Sequence, residues 1–182
     1  MTPHADSGPA LGMSPDTPIV ALSPPRPGQW LVVNDNVMGG RSAGAVQLAR
    51  HGLVFSGALI TKGGGFASLR SRSLDIPLEP YTGISLRVVG DGREYACDLR
   101  EAASVSGSGV AWKARFTTQA GQWLDVRLPF STFEPTWRGS VMRAPGGGPE
   151  ATFHHTVTSV GFTIADERDG PFRLEVAGIG AF

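Results

Sequence analysis

From Gln29 to Phe182 apolar and polar residues alternate in short runs, and glycine and proline cut the runs apart. Over 83–89, Ile84, Leu86 and Val88 share one side of a predicted strand, with Ser85 and Arg87 on the other. Over 93–100, Tyr95, Cys97 and Leu99 face one way and Glu94, Asp98 and Arg100 the other. The same period recurs at Trp112, Ala114 and Phe116 against Lys113, Arg115 and Thr117. It returns at Leu124, Val126 and Leu128, at Val160, Phe162 and Ile164, and at Phe172, Leu174 and Val176. Period two marks strands with one buried face, because successive side chains of a pleat point to opposite sides. Shorter runs at 30–33, 45–49, 53–60 and 66–72 complete about ten strands. Pro129 to Phe133 breaks the pattern and reads as one helical turn carrying two aromatics into the core, while Trp137-Arg138-Gly139 falls in irregular chain. Many short strands with almost no helix predict an all-β fold, an antiparallel two-sheet β-sandwich of jelly-roll type.

Asn34 to Ser42 departs from this pattern. Two polar turn formers and two glycines follow the strand at 30–33. Asn and Asp bond their own backbone, and glycine accepts positive φ without strain. Val37 and Met38 sit in mid-turn, so the loop is expected to fold back against the body. It is either a turn kept for its shape or a binding rim built from Asn34, Asp35 and Arg41. Gly63-Gly64-Gly65 looks like a phosphate cradle but lacks the Gly-Lys-Ser/Thr ending of a P-loop and the spacing of a dinucleotide fingerprint. Close backbone approach to a neighbouring strand explains it better.

A chain of 182 residues fits one domain with a sizeable core. Residues 1–28 hold prolines at 3, 9, 15, 18, 24, 25 and 27 and are expected to be a disordered or extended tail before a single domain over 29–182. Lys plus Arg and Asp plus Glu both number 16, so the basic footprint of a nucleic-acid binder is missing. No apolar run approaches the roughly 18 residues of a membrane span, and the N-terminal residues lack a secretory pattern, which leads to a cytoplasmic expectation. The single cysteine, Cys97, lies on the apolar side of its strand and reads as a small core group.

Candidate chemistry is sparse. There is no Gly-x-Ser-x-Gly elbow and no zinc spacing, and His154 and His155 point to opposite faces if extended. Glu94 and Asp98 are roughly 13 Å apart along one strand face, wider than the roughly 5–9.5 Å of glycosidase pairs. Asp35 and Asp91, on turns, have the oxygens a calcium ion would use, but no cofactor is expected. The polar sheet face stands out: Arg70, Arg72, Arg87, Arg100, Lys113 and Arg115, with Glu94 and Asp98 among them. It is either a solvated face with cross-strand ion pairs or a recognition surface, anchored by Phe66 or Trp137 and using guanidinium forks.

Trp30 with Asn34-Asp35-x-Val37-Met38-Gly39-Gly40-Arg41-Ser42, then Gly64-Gly65-Phe66-Ala67-Ser68-x-Arg70, then Gly90-Asp91-Gly92-Arg93-x-Tyr95, resemble one family. Trp123-x-x-Val126-x-Leu128-Pro129-Phe130-x-x-Phe133-x-Pro135-x-Trp137-Arg138-Gly139 and Gly170-Pro171-Phe172-x-Leu174 continue the likeness. The family is that of complex I intermediate-associated protein 30. Asn36 stands where the family usually has glycine, and Asn also tolerates left-handed geometry. The resemblance implies a galactose-binding-like jelly roll and a non-catalytic role as an assembly chaperone for NADH:ubiquinone oxidoreductase, and it brings no catalytic residues. The tail carries Asp6, Asp16 and only Arg26, unlike a mitochondrial presequence, so the chain looks like a compact bacterial member. The expected binding residues are Asn34, Asp35, Arg41, Phe66, Arg70, Arg93, Trp137 and Arg138, facing a protein partner among respiratory-complex subunits. The alternative is a carbohydrate-binding module with Trp112, Tyr95 and Trp137 as stacking platforms, although Trp112 and Tyr95 also fit the core pattern.

Overall fold

The computed structural model describes residues 16–22, 26, 28–50, 52–102, 109–146 and 151–182. Its strands are, in chain order, β1 (Thr17–Pro18), β2 (Trp30–Asn34), β3 (Ala43–Ala49), β4 (Gly52–Leu59), β5 (Ala67–Ser71), β6 (Ile76–Pro77) and β7 (Gly83–Val89). There follow β8 (Glu94–Glu101), β9 (Val110–Thr117), β10 (Trp123–Pro129), β11 (Glu134–Trp137), β12 (Ser140–Val141), β13 (Thr156–Ile164) and β14 (Gly170–Ala181). The smaller sheet has the order β10-β7-β14-β4-β3, with β1 beside β14; the larger has the order β12-β11-β9-β8-β13-β5-β2, with β6 beside β13. Neighbouring strands run antiparallel throughout both sheets. The fold is the expected two-sheet sandwich.

Alternation is realised as read. Ile84, Leu86 and Val88 of β7 and Phe172, Leu174 and Val176 of β14 point inward from the small sheet. They meet Tyr95, Cys97 and Leu99 of β8 and Val160, Phe162 and Ile164 of β13 from the large one. Burying one such side chain contributes about 1.5–3 kcal/mol, so the two faces are the main cohesive element. A register shift between Val176 and Gly178 changes the phase of β14, and Ile179 and Ala181 then carry the inward pattern.

Thr17 and Pro18, in the region expected to be a disordered or extended tail, pair with Ala181 and Gly180, and Val20 and Leu22 are buried in the core. Three features differ from the sequence expectation. The chain around Trp137 is not irregular: β11 and β12 form a hairpin closed by Arg138 and Gly139, at φ 49° and 86°. Positive φ at both central residues is the mirror-type turn that matches strand twist. Asp98 is buried at 1% exposure although its strand face was read as solvated, because β8 lies mid-sheet and Lys113 of β9 reaches over it. The helical turn at Phe130–Thr132 is present, with Phe133 buried and Phe130 only partly so. His51, residues 104–108 and residues 147–149 of the two expected loops fall outside the described residues, as does most of the predicted tail.

Candidate functional site

Asp35 opens a one-turn 3-10 helix, Asp35–Met38, ended by Gly39 at φ 86°. The expected fold-back happens, but through the carboxylate. Met38 is 68% exposed, whereas Asp35 is completely buried. The Ser42 N–H donates to its Oδ1 at 2.9 Å; the Ser42 hydroxyl and the Gly65 N–H donate to its Oδ2, each at 2.6 Å. The Phe66 N–H adds a longer contact of 3.4 Å. Ser42 in turn accepts the Ile60 N–H at 3.0 Å. Asp35 thereby ties the 34–42 turn to the 63–66 loop. Gly40 and Gly64 have one cause: a Cβ on Gly40 would lie 2.2 Å from the Asp35 Cγ, and one on Gly64 2.4 Å from its Oδ2. From the glycine run that resembled a phosphate cradle, the Gly65 N–H holds the protein's own carboxylate, while the Gly64 N–H donates to the Thr61 carbonyl. Burial pushes the Asp35 carboxyl up, but the Ser42 hydroxyl and the three backbone donors outweigh it and hold it below the ordinary aspartate value. Asn34 is engaged similarly, its side-chain oxygen accepting the Gly44 N–H at 3.1 Å.

Arg93 is a second staple at the same end. It is 6% exposed and forks onto Asp166, Nε to Oδ2 at 2.9 Å and Nη2 to Oδ1 at 2.5 Å. It also donates to the carbonyls of Arg168, Gly170 and Pro171. The Asp166 hydrogen bond raises the Arg93 proton affinity against the effect of burial. Burial pushes Asp166 up, and Arg93 overrides it, leaving that carboxyl depressed. Asp91 accepts the Tyr95 hydroxyl at 3.1 Å and the N–H groups of Arg93 and Arg173 at 3.1 and 2.7 Å. Asp169 accepts the Thr61 N–H at 2.7 Å. These aspartates lace four loops together. Donors crowd the oxygens of Asp35 and Asp91, and the described residues contain no metal-holding group of three or more His, Cys, Asp or Glu.

The outer face of the large sheet is different. Arg70 of β5 pairs in register with Leu31 of β2 on one side and Gly161 of β13 on the other, and Gly161 also pairs with Asp98. Lys113 bonds Asp98 at 2.9 Å, and the Thr163 hydroxyl bonds it at 2.5 Å, so this carboxylate is saturated. A cleft of about 380 Å³ lies on the large sheet, lined by Leu31, Arg72, Arg100, Thr158 and Ser159 among others. Burial lowers the Arg100 proton affinity, and the neighbouring Arg70 charge lowers it further, against a smaller pull from Asp98. The Nε atoms of Arg70 and Arg100 are shut off from solvent and have no hydrogen-bond partner among the described residues.

The expected binding residues therefore separate. Asn34, Asp35 and Arg93 are built into the fold. Arg41 is exposed at the rim, and Phe66 is half-buried with its N–H toward Asp35. Arg70 borders the open face. Trp137 (44% exposed) and Arg138, whose guanidinium stacks 4.4 Å from the Trp137 ring, sit on the opposite edge of the sheet. Leu31 went unnoticed in the sequence, although alternation from buried Trp30 puts it outward. Arg72 and Arg100 were placed on the polar face but not in the site, because their lack of partners depends on cross-strand register. Cys97 is buried, and burial followed by the Asp98 charge pushes its thiol up, away from thiolate chemistry.

The sequence model of the family described as Complex I intermediate-associated protein 30 matches residues 22–176. The mitochondrial Complex I intermediate-associated protein 30 of Mus musculus is 26% identical over 174 residues, 85% of this chain and 52% of its own length. Its Neurospora crassa namesake is 29% identical over 104 residues, 57% of this chain and 36% of its own. The chain thus spans about half or less of the curated relatives it matches. A family 11 carbohydrate-binding module from Clostridium thermocellum, solved with a mixed-linked tetrasaccharide, aligns with TM-score 0.60 at 16% identity, over 93% of this chain and 99% of the module. An agarase aligns with TM-score 0.55 at 10% identity, over 91% of this chain and 24% of the enzyme. At such identities the likeness is one of fold, a two-sheet antiparallel β-sandwich. With the family model matched over residues 22–176, the chain belongs to the Complex I intermediate-associated protein 30 family.

Proposed function

We propose that this domain is a non-catalytic protein-binding module that assists assembly of respiratory complex I, or of a similar membrane-associated complex, by holding a subunit or intermediate. The observation that carries this reading is the outer face of the large sheet, where half-buried arginines lack carboxylate partners among the described residues beside a cleft. Family membership and the name of the mouse relative supply the kind of partner. Saturation of Asp35, Asp91 and Asp166 by the protein's own donors supports a holding role over a transforming one. The carbohydrate alternative has less support. Trp112 and Tyr95 are buried in the core, and Trp137 is stacked under Arg138. Crosslinking with mass spectrometry in the native organism tests the proposal. Complex I subunits should be recovered, and a deletion strain should lose complex I activity. Recovery of none, with unchanged activity in the deletion strain, would contradict it.

A further inference from the structure

Positive charge on the outer face of the large sheet is unevenly partnered. Lys113, Arg115 and Arg143 each meet a carboxylate: Asp98 at 2.9 Å, Glu94 at 2.9 Å and Glu134. Arg70, Arg72 and Arg100, toward the β2 edge, form no ion pair among the described residues. Arg72 is held by its Nε on the Gly28 carbonyl, which leaves its terminal nitrogens. Arg100 has one long contact, 3.4 Å from Nη1 to the Val110 carbonyl. Gly161 raises no side chain between Arg70 and Asp98, so the row is notched there. Glu101 borders the cleft, but its carboxylate is turned to His154, with Oε1 accepting the backbone N–H at 2.7 Å and Oε2 lying 3.6 Å from Nδ1.

We propose that this face docks an acidic polypeptide segment, its carboxylates seated on Arg70, Arg72 and Arg100 and an apolar side chain laid over Leu31. The proposal rests on the protein-binding role above and gives that role its partner chemistry. Three features favour it. A buried N–H without an acceptor is unfavourable, and like charges drawn together are relieved by an anion. Planar guanidinium forks match planar carboxylates in bidentate geometry. Leu31, 48% exposed and directly beside Arg70 in the register, gives an acidic peptide an apolar contact that a free phosphate would leave bare.

Fluorescence anisotropy on the full 182-residue chain tests this with a labelled peptide of alternating Glu and Leu. Its Gln-and-Leu counterpart, inorganic phosphate and phosphatidylglycerol vesicles are the other probes. The Glu peptide should bind with a dissociation constant on the order of micromolar and weaken as salt rises from about 50 to 300 mM. Arg70→Gln and Arg100→Gln should each weaken it about tenfold with the melting temperature retained, and the Gln peptide should not bind. Should Arg100→Gln not fold, Arg70→Gln with Arg72→Gln carries the same expectation. Equal binding by wild type and these variants would overturn the proposal, as would binding of phosphate or vesicles with the Glu peptide inert. A variant that binds no Glu peptide yet still captures complex I subunits would overturn this face as the docking surface and leave the assembly role standing.

Discussion

Two arginines, Arg93 just before β8 and Arg70 in β5, were equal candidates in the sequence, and their surroundings make them opposites. Arg93 is enclosed at the laced end, where Asp166 and three carbonyls take up its donors. Arg70 stands on the outer face with a shut-in Nε and no carboxylate partner among the described residues. A buried charge with a complete set of partners holds shape. A half-buried charge without them remains available to a ligand. Asp35 falls with Arg93, and Arg72 and Arg100 with Arg70.

The comparison breaks most visibly at the staples. Arg93→Ala would strand Asp166, itself 6% exposed in its side chain, and should destabilise the domain by about 3–5 kcal/mol in urea melts. Asp35→Ala would orphan the N–H groups of Ser42 and Gly65 and should cost about 3 kcal/mol. Gly64→Ala, with its Cβ driven against the Asp35 carboxylate, should cost about 1–3 kcal/mol. A staple that melts like wild type would place that residue in the other class.

The pH dependence has a definite sign. The folded-state values of Asp35 and Asp166 are depressed, so their contribution is fully present above the ordinary aspartate value, about 3.9. It is lost as pH falls through the lower folded values. Stability should therefore be flat from about pH 7 down to pH 5 as far as these two groups are concerned and drop below about pH 4. Asp35→Asn should show a shallower acid drop, read by denaturant melts across pH.

At the open face the stability effects should be small. Arg100→Gln should be neutral or slightly stabilising, within about 0.5 kcal/mol, because burial and Arg70 already disfavour its charge. Arg115→Ala, removing an exposed ion pair with Glu94, should cost about 0–1 kcal/mol.

Much of the fold was legible because alternation fixes which side chains face inward on β7, β8, β9, β13 and β14. The hairpin at Trp137 was not, since β11 and β12 are too short to display a period and Arg138 takes a positive φ that its type rarely adopts. The solvated reading of Asp98 depended on counting faces within one strand, whereas its burial comes from Lys113 and Thr163 on neighbouring strands. The site was legible only as residue types. Nothing local tells Arg93 from Arg70, because Asp166 is 73 positions away from Arg93. The glycines of 39–40 and 63–65 announced a special backbone, but its occupant, Asp35, is named only by the fold.

A photo-crosslinking residue placed at Leu31, on the arginine face, or at Arg41, on the laced rim, compares the two regions directly in the native organism. Adducts from position 31 with acidic partner segments, and none from position 41, are the predicted result. Adducts from position 41 alone would show that the rim does the holding and would contradict the division of charges drawn above.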